Sequence, residues 1–313
     1  MDTMMALRAH RRGGPETLVY EPAPMPSPAD DEVLVAVHAA AITFTELTWD
    51  QTWTDADGAD RTPIIPSHEV SGTVAAVGSD VTDLAIGDDV YGLIDFGRDG
   101  AAAQFVAVPA SALAAKPSGV SHAEAATLPL AALTAWQALV DYASLAPGES
   151  VLVHGGAGGV GVYGIQIAGL RGARVIATGR PEQEDFIRGL GAHEFIDFTA
   201  VAFDDVLTDL DVVLDPVGGD TLTRSFRVLR AGGRLVTLSS PPPPDLANQF
   251  GVEATFFIVQ PDRAELIDLA RFVDGGSLRP VISQVFELPD GRAAFESANK
   301  PRQPGKTVLT VLR

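Results

Sequence analysis

VLVHGGAGGVGVYGIQIAGLRGARVIATG, residues 151–179, decides how this chain folds. It opens on an apolar run, passes through a glycine-rich turn into an apolar helix, and ends on a second apolar run, RVIATG (174–179). Inside the turn, Gly156, Gly158 and Gly161 form G-x-G-x-x-G, with Ala157, Gly159 and Val160 between them. The spacing has a physical meaning. Gly156 permits the tight turn, Gly158 lets the backbone approach a pyrophosphate, and Gly161 lets the helix pack closely on the sheet. The helix N-terminus then offers free N–H groups and a positive dipole end to phosphates. The glycines alone mean little. A strand before them and a helix and strand after them are the context a dinucleotide site requires. The bland alternative is a glycine-rich turn that holds no ligand.

Downstream, EFIDF (194–198), DVVLDPV (211–217), GRLVTLS (233–239) and VEATFFIV (252–259) read as further strands. EQEDFIRGLG (182–191) and DTLTRSFRVLR (220–230) are helical candidates between them. Near-continuous apolar strands alternating with helices mean a parallel sheet covered on both faces. Six strands fit a doubly wound dinucleotide-binding fold. Upstream, SHAEAATLPLAALTAWQALVDYASL (121–145) carries a Ser121–Glu124 capping box and is predicted as two helical pieces broken near Pro129. The first third is different. VLVAVHAAAI (33–42), VSGTVAAVG (70–78), DVYGLI (89–94) and AQFVAVP (103–109) are short apolar runs between turn signals, the mark of a barrel or sandwich. PAPMPSPADDE (22–32) reads as a loop, because Pro cannot serve a central strand. WDQTWTDADGADRT (49–62) reads as a surface loop or lid carrying Trp49 and Trp53, and PPPP (241–244) as a rigid spacer. The tail returns to β character in KTVLTVL (306–312) and is expected to rejoin the first part. The resulting division is 1–120 with 280–313, and 121–279.

Composition narrows the function classes. Hydrophobic residues make up 46% and charged residues 20%, as in a soluble globular protein. No apolar run reaches the length of a membrane span, and MDTMMALRAH lacks the pattern of a signal peptide, so a cytoplasmic protein is expected. The absence of cysteine excludes disulfides, thiolate catalysis and Cys-based metal sites. Forty-one acids against 22 bases give a net charge of −19, which repels nucleic acid and anionic membranes. An anionic cofactor therefore needs a local positive site. At the end of the second strand an NAD site places Asp or Glu on the ribose 2′-hydroxyl. Here Thr178, Gly179 and Arg180 stand there, which points to NADP(H), with Arg180 on the 2′-phosphate. Glu182, Glu184 and Asp185 follow closely and leave a ribose contact open as the alternative.

Taken in order, GGPETLVYE (13–21), GDDVYG (87–92), LPLAALTAW (128–136), VLVHGGAGGVG (151–161), LDPVGG (214–219) and GKTVLTV (305–311) resemble the zinc-independent medium-chain dehydrogenase/reductases of the quinone oxidoreductase-like branch. The resemblance runs over nearly the whole chain. It implies an α/β protein with a GroES-like β domain plus a doubly wound parallel-sheet Rossmann domain. It implies NADPH-dependent reduction of quinones or of the activated double bond of enals and enones. It also implies a homodimer paired through the last sheet strand, around ATFFIV (254–259). Further cofactor contacts come from the same source: Thr134 at the nicotinamide, Asp215, Val217, Leu238 and Ser239 on the binding edge, Phe257, Ile258 and Val259 beside the carboxamide, and Lys306 at the phosphates. In zinc-dependent relatives the metal ligands fall on Thr43, His68 and a position near Leu130. One imidazole does not make the three-ligand site a catalytic zinc needs, so no metal is expected. The chain also departs from its own branch, with Thr43-Phe44-Thr45-Glu46 and His68-Glu69 where those proteins commonly carry Asn-Pro-x-Asp and an Asp.

Without a metal, hydrogen-bond donors must stabilise the enolate formed on hydride addition. Thr43, Thr45 and His68 are the candidates. For the threonines the competing reading is an ordinary strand end, and for His68 a histidine bonded only within its own fold. Glu46 and Glu69 are expected to anchor backbone or pair with a base, His154 to be structural, and the two tryptophans to floor an apolar acceptor site or simply to pack. Two other functions remain: an enoyl reductase of one biosynthetic pathway, and an NADPH-binding sensor or scaffold without catalysis.

Overall fold

The computed structural model describes residues 2–55, 57–300 and 303–312. It divides into two compact units, Met1–Leu130 with Gln260–Arg313, and Ala131–Val259.

In the first unit β1 (Thr3–Ala9) and β2 (Leu18–Pro24) form an antiparallel hairpin. Pro22 and Pro24 thus lie on a strand rather than in the predicted loop. Among the described residues β2 pairs only with β1, so the missing N–H groups break no second ladder. β3 (Glu32–Ile42), β4 (Glu69–Val77), β5 (Asp89–Leu93), β6 (Phe105–Pro109) and β7 (Leu113–Ala115) follow, with the short helix α1 (Asp50–Trp53) between β3 and β4. Helix α2 (His122–Ala125) starts on the predicted capping box: the Ser121 side chain accepts from the Glu124 N–H and the Glu124 side chain from the Ser121 N–H.

Helix α3 (Pro129–Trp136) runs on into a π-helical stretch, Gln137–Tyr142. The second unit is then built from β8 (Ser150–Val153), α4 (Gly161–Leu170), β9 (Arg174–Gly179), α5 (Glu184–Gly189), β10 (Glu194–Asp197), α6 (Phe203–Val206), β11 (Leu210–Asp215), α7 (Gly219–Ser225), β12 (Leu229–Thr237), α8 (Pro244–Phe250) and β13 (Glu253–Phe256). The six strands are parallel, in the order β10-β9-β8-β11-β12-β13. Val151, Leu152 and Val153 on central β8 are fully buried, which is why the sequence runs apolar without alternation. The order reverses between β8 and β11, and the loops leaving the C-terminal ends of the strands flank that switch point.

The chain then returns to the first unit at Gln260. Helix α9 (Arg263–Asp274) is capped by Asp262 and buries Leu266, Leu269, Ala270 and Val273. The Tyr91 hydroxyl of β5 donates to the Leu266 carbonyl at 2.5 Å. Gln260–Arg313 accordingly groups with the first unit. β14 (Ile282–Glu287), α10 (Gly291–Glu296) and β15 (Lys306–Thr310) complete it. β15 joins the large sheet between β14 and β3, with Val308 and Leu309 fully buried, each worth about 1.5–3 kcal/mol. Among the described residues no helix is long and apolar enough to cross a membrane.

Candidate functional site

In the second unit the glycine loop bridges β8 and α4. Gly155 takes φ +61°, a left-handed backbone that favours glycine. A Cβ on Gly161 would lie 2.1 Å from the Gly155 carbonyl oxygen, so the loop closes only around hydrogen. Ala157 is buried, Gly159 and Val160 are half-buried and Gly158 is exposed, leaving an open backbone face at the start of α4. Thr178, at the end of β9, turns its hydroxyl inward to accept the Gly155 N–H at 3.0 Å. That hydroxyl lies 3.3 Å from Nδ1 of His154, whose Nε2 lies 3.0 Å from the Ser225 hydroxyl. Burial, aided by the Arg224 charge, pushes the His154 pKa down to about 3. His154 is thus a neutral strut joining β8, β9 and α7, and it holds the loop through Thr178.

The neighbouring strand ends divide into groups that shape turns and groups that stay open. Asp215 is fully buried and accepts from the N–H groups of Val217 and Gly218, each at 3.0 Å, while burial raises its pKa. It shapes the turn after β11 instead of presenting a carboxylate. Val217 and Ser239 are exposed and Leu238 is half-buried. Phe257 and Val259 are buried with Ile258 exposed between them, and the Phe257 ring centroid is 4.5 Å from that of Tyr142. Thr134 is buried on α3. Arg180 is exposed, lies 5.8 Å from the Phe198 ring centroid and makes no ion pair among the described residues. Glu184, one of the carboxylates weighed for the ribose, is instead paired with Arg188. A loop closed around hydrogen, beside an unpaired guanidinium, fits a phosphorylated dinucleotide.

The first unit gathers a second polar cluster. The register Thr307↔Ile42 sets Lys306 beside Thr43, and its Nζ donates to the Thr43 hydroxyl oxygen at 2.9 Å. The same Nζ lies 2.5 Å from Oε2 of Glu69. Oε1 of Glu69 accepts the Leu130 N–H at 3.0 Å. Lys306 is buried at 6% exposure, so in this cluster its charge is balanced by Glu69. Glu46 accepts from the Ser67 N–H at 2.9 Å and the Thr43 N–H at 3.3 Å. Burial drives its pKa up to about 8, against those hydrogen bonds and the Lys306 charge.

His68 is buried, and among the described residues no group meets hydrogen-bond geometry at either ring nitrogen. Nε2 lies 3.9 Å from the Glu46 carboxylate, and the Phe96 ring packs edge-on at 5.2 Å. Burial, then the Arg61 charge, lowers its pKa to about 3 against a smaller opposing effect of the Asp95 backbone. The ring is therefore neutral and enclosed near pH 7. Ser67, just before it, sits at φ +71°, a conformation costing about 1–3 kcal/mol and found at constrained sites. Thr45 is exposed and its carbonyl takes the Thr48 hydroxyl. Trp53 is buried with its indole N–H on the Leu47 carbonyl, so it packs and does not floor an acceptor site. Trp49 is half-buried against Phe96.

Comparison with known proteins fits this geometry. Residues 29–118 match the alcohol dehydrogenase GroES-like domain and residues 190–309 the zinc-binding dehydrogenases. Over 91% of its length, and 73% of the relative's, the chain is 33% identical to the NADPH-dependent alkenal/one oxidoreductase, chloroplastic, of Arabidopsis thaliana. The chain belongs to the medium-chain dehydrogenase/reductases. Within that family it is similar to the quinone oxidoreductase of Coxiella burnetii, with TM-score 0.92, 30% identity, and coverage of 99% of this chain and 100% of that one. It is also similar to the CurK enoyl reductase, with TM-score 0.88, 28% identity, and coverage of 99% and 100%. The medium-chain dehydrogenase/reductases are nicotinamide-dependent oxidoreductases with the GroES-like and Rossmann-like parts seen here. The zinc in the name of one matched family does not fit the residues present. The corresponding positions hold a hydroxyl bonded to an ammonium, a buried imidazole and the side chain of Leu130. Among the described residues no group of three or more His, Cys, Asp and Glu is placed to hold a metal.

Proposed function

We propose that this oxidoreductase uses NADPH to reduce a quinone or the activated C=C bond of an α,β-unsaturated carbonyl, without zinc. The observation that carries the proposal is Arg180, an exposed guanidinium at the tip of β9 that makes no ion pair among the described residues, with Thr178 and Gly179 standing where an NAD site has its Asp or Glu. When bound, the reduced nicotinamide would supply a hydride with its electron pair to the β-carbon of an enone, negative charge passing to the carbonyl oxygen and the α-carbon then taking a proton from water. The chain's own residues bind and orient. In this reading Ala157 to Gly161 cradle the pyrophosphate, and Thr134, Val217, Leu238, Ser239 and Ile258 line the rest of the cofactor. Thr178 and Asp215 hold the loops that do so. Residues 131–259 are the cofactor domain and the remainder is the substrate domain. Among the described residues β13 pairs only with β12 and ends the sheet, which supports a homodimer formed across that edge. The likeness to the CurK enoyl reductase favours a second reading, an enoyl reductase serving one pathway.

The test follows loss of reduced-nicotinamide absorbance with a panel of quinones, enals and enones, using NADPH and NADH in parallel. NADPH is expected to be preferred, and Arg180→Ala to raise its KM by about 10–100-fold, the loss of a charge-assisted contact, while leaving NADH unchanged. Equal use of NADH, unaffected by Arg180→Ala, sinks the NADP assignment. Tight NADPH binding with no turnover of any acceptor replaces the enzyme by a binding protein.

A further inference from the structure

We infer that Lys306, held in place by Glu69, turns the Thr43 hydroxyl into the hydrogen-bond donor that receives the acceptor's carbonyl oxygen. The inference rests on the reductase reading above and assigns its oxyanion donor. An ammonium has three donors and no acceptor, so at 2.9 Å it takes a lone pair of the Thr43 oxygen. A threonine hydroxyl has one hydrogen to give. Among the described residues nothing accepts it. Glu46 is engaged by the Thr43 backbone N–H and not by its hydroxyl. Thr43 is half-buried, so that hydrogen remains available to a small molecule. An O–H that accepts from a cation donates more strongly, and a nearly dry surrounding heightens the effect. Lys306 and Glu69 are 6% and 1% exposed, so water screens neither. The other two candidates lack this arrangement. His68 is enclosed, and Thr45 is exposed, with no charged group bonded to its hydroxyl among the described residues.

Thr43 is then the catalytic residue, touching the oxygen on which charge develops. Lys306 and Glu69 are positioning residues that act through it. The ligand class follows: an acceptor with a carbonyl-type oxygen able to receive a hydrogen bond, an enone or quinone.

The full-length protein is tested with NADPH and the best acceptor of the panel. Thr43→Val is expected to lower kcat by about 100-fold, the loss of one oxyanion donor, with the Kd for NADPH unchanged. Thr43→Ser keeps the hydroxyl and is expected to retain at least about a tenth of kcat. Lys306→Met is expected to lose as much as Thr43→Val, and the double variant no more than either, because the two act as one unit. A merely structural lysine gives additive losses instead. Should Lys306→Met not fold, Thr43→Val against Thr43→Ser decides. An independent readout needs no turnover: the ¹⁵Nζ signal of the Lys306 ammonium in the cofactor-free protein is expected to be protected from exchange and to shift in Thr43→Val. Wild-type turnover with Thr43→Val at full kcat, or an unprotected ammonium, overturns the assignment while the reductase reading stands. A wild type that reduces no acceptor overturns both.

Discussion

Glu46→Gln separates a buried neutral acid from a buried charge. Glu46 is fully buried, and its pKa stands at about 8 in the folded protein against 4.5 when free. Between those values the folded chain holds a proton that the unfolded chain has released. Stability contributed by this group is therefore full below pH 4.5 and is lost as pH rises toward 8. Each pH unit within the window costs about 1.4 kcal/mol, so from pH 5.5 to 7.5 the loss is about 2–3 kcal/mol. The amide of the variant does not titrate, while its carbonyl oxygen can still accept the Ser67 N–H. Urea unfolding of both proteins at pH 5.5, 6.5 and 7.5 is expected to show the variant gaining on the wild type by that amount across the range. A wild-type-to-variant difference that stays constant over the three pH values would refute the reasoning, because it would mean that Glu46 is ionised, or equally protonated, in both states.

His154 has the opposite dependence. Its pKa falls from 6.5 to about 3 on folding, so its stability contribution is present above pH 6.5 and is lost as pH falls toward 3. At pH 5 the cost is about 2 kcal/mol, and His154→Gln is expected to remove that slope in the same unfolding series. Gly161→Ala is expected to abolish NADPH binding, followed by the quenching of protein fluorescence, since the new Cβ meets the Gly155 carbonyl at 2.1 Å. Lys306→Met leaves the Glu69 carboxylate buried beside Glu46 and is expected to cost about 3–5 kcal/mol in chemical denaturation; a loss below about 1 kcal/mol would contradict the burial of the pair. Metal analysis of protein purified with added zinc is expected to find well below one equivalent, and a chelator to leave the rate unchanged.

What the sequence makes legible is local. The strand, turn, helix and strand of residues 150–179 are contiguous, and each half of the pattern constrains the other. The capping box at Ser121 is read within four residues and forms as predicted. β1 and β2 are hidden because Pro22 and Pro24 argue against a strand that has neighbours on both sides, and this one has a neighbour on one side only. Helix α9 packs through Leu266, Leu269, Ala270 and Val273, a surface that no local pattern reveals. Side-chain direction is the larger gap. Asp215 and Thr178 stand at the strand ends the sequence indicates, yet both turn inward to hold backbone N–H groups. The Lys306–Glu69–Thr43 cluster joins residues far apart in the chain, and only the pairing of β15 with β3 reveals it.

That pairing also sets an order on synthesis. The first unit is discontinuous and the second is not. As the chain leaves the ribosome, Thr43 waits for a partner 263 residues later. At about 5–20 residues per second, that interval is roughly 13 to 53 s. Throughout it, Glu46 and Glu69 have no ammonium beside them, and Ala39 to Ile42 of β3 present an unpaired edge. Residues 131–259 emerge whole in the meantime and are free to fold first. The nascent first unit is thus the part exposed to mispairing with other chains. A circular permutant that makes β15 just ahead of β3 is expected to shorten that exposure and raise the yield of folded protein.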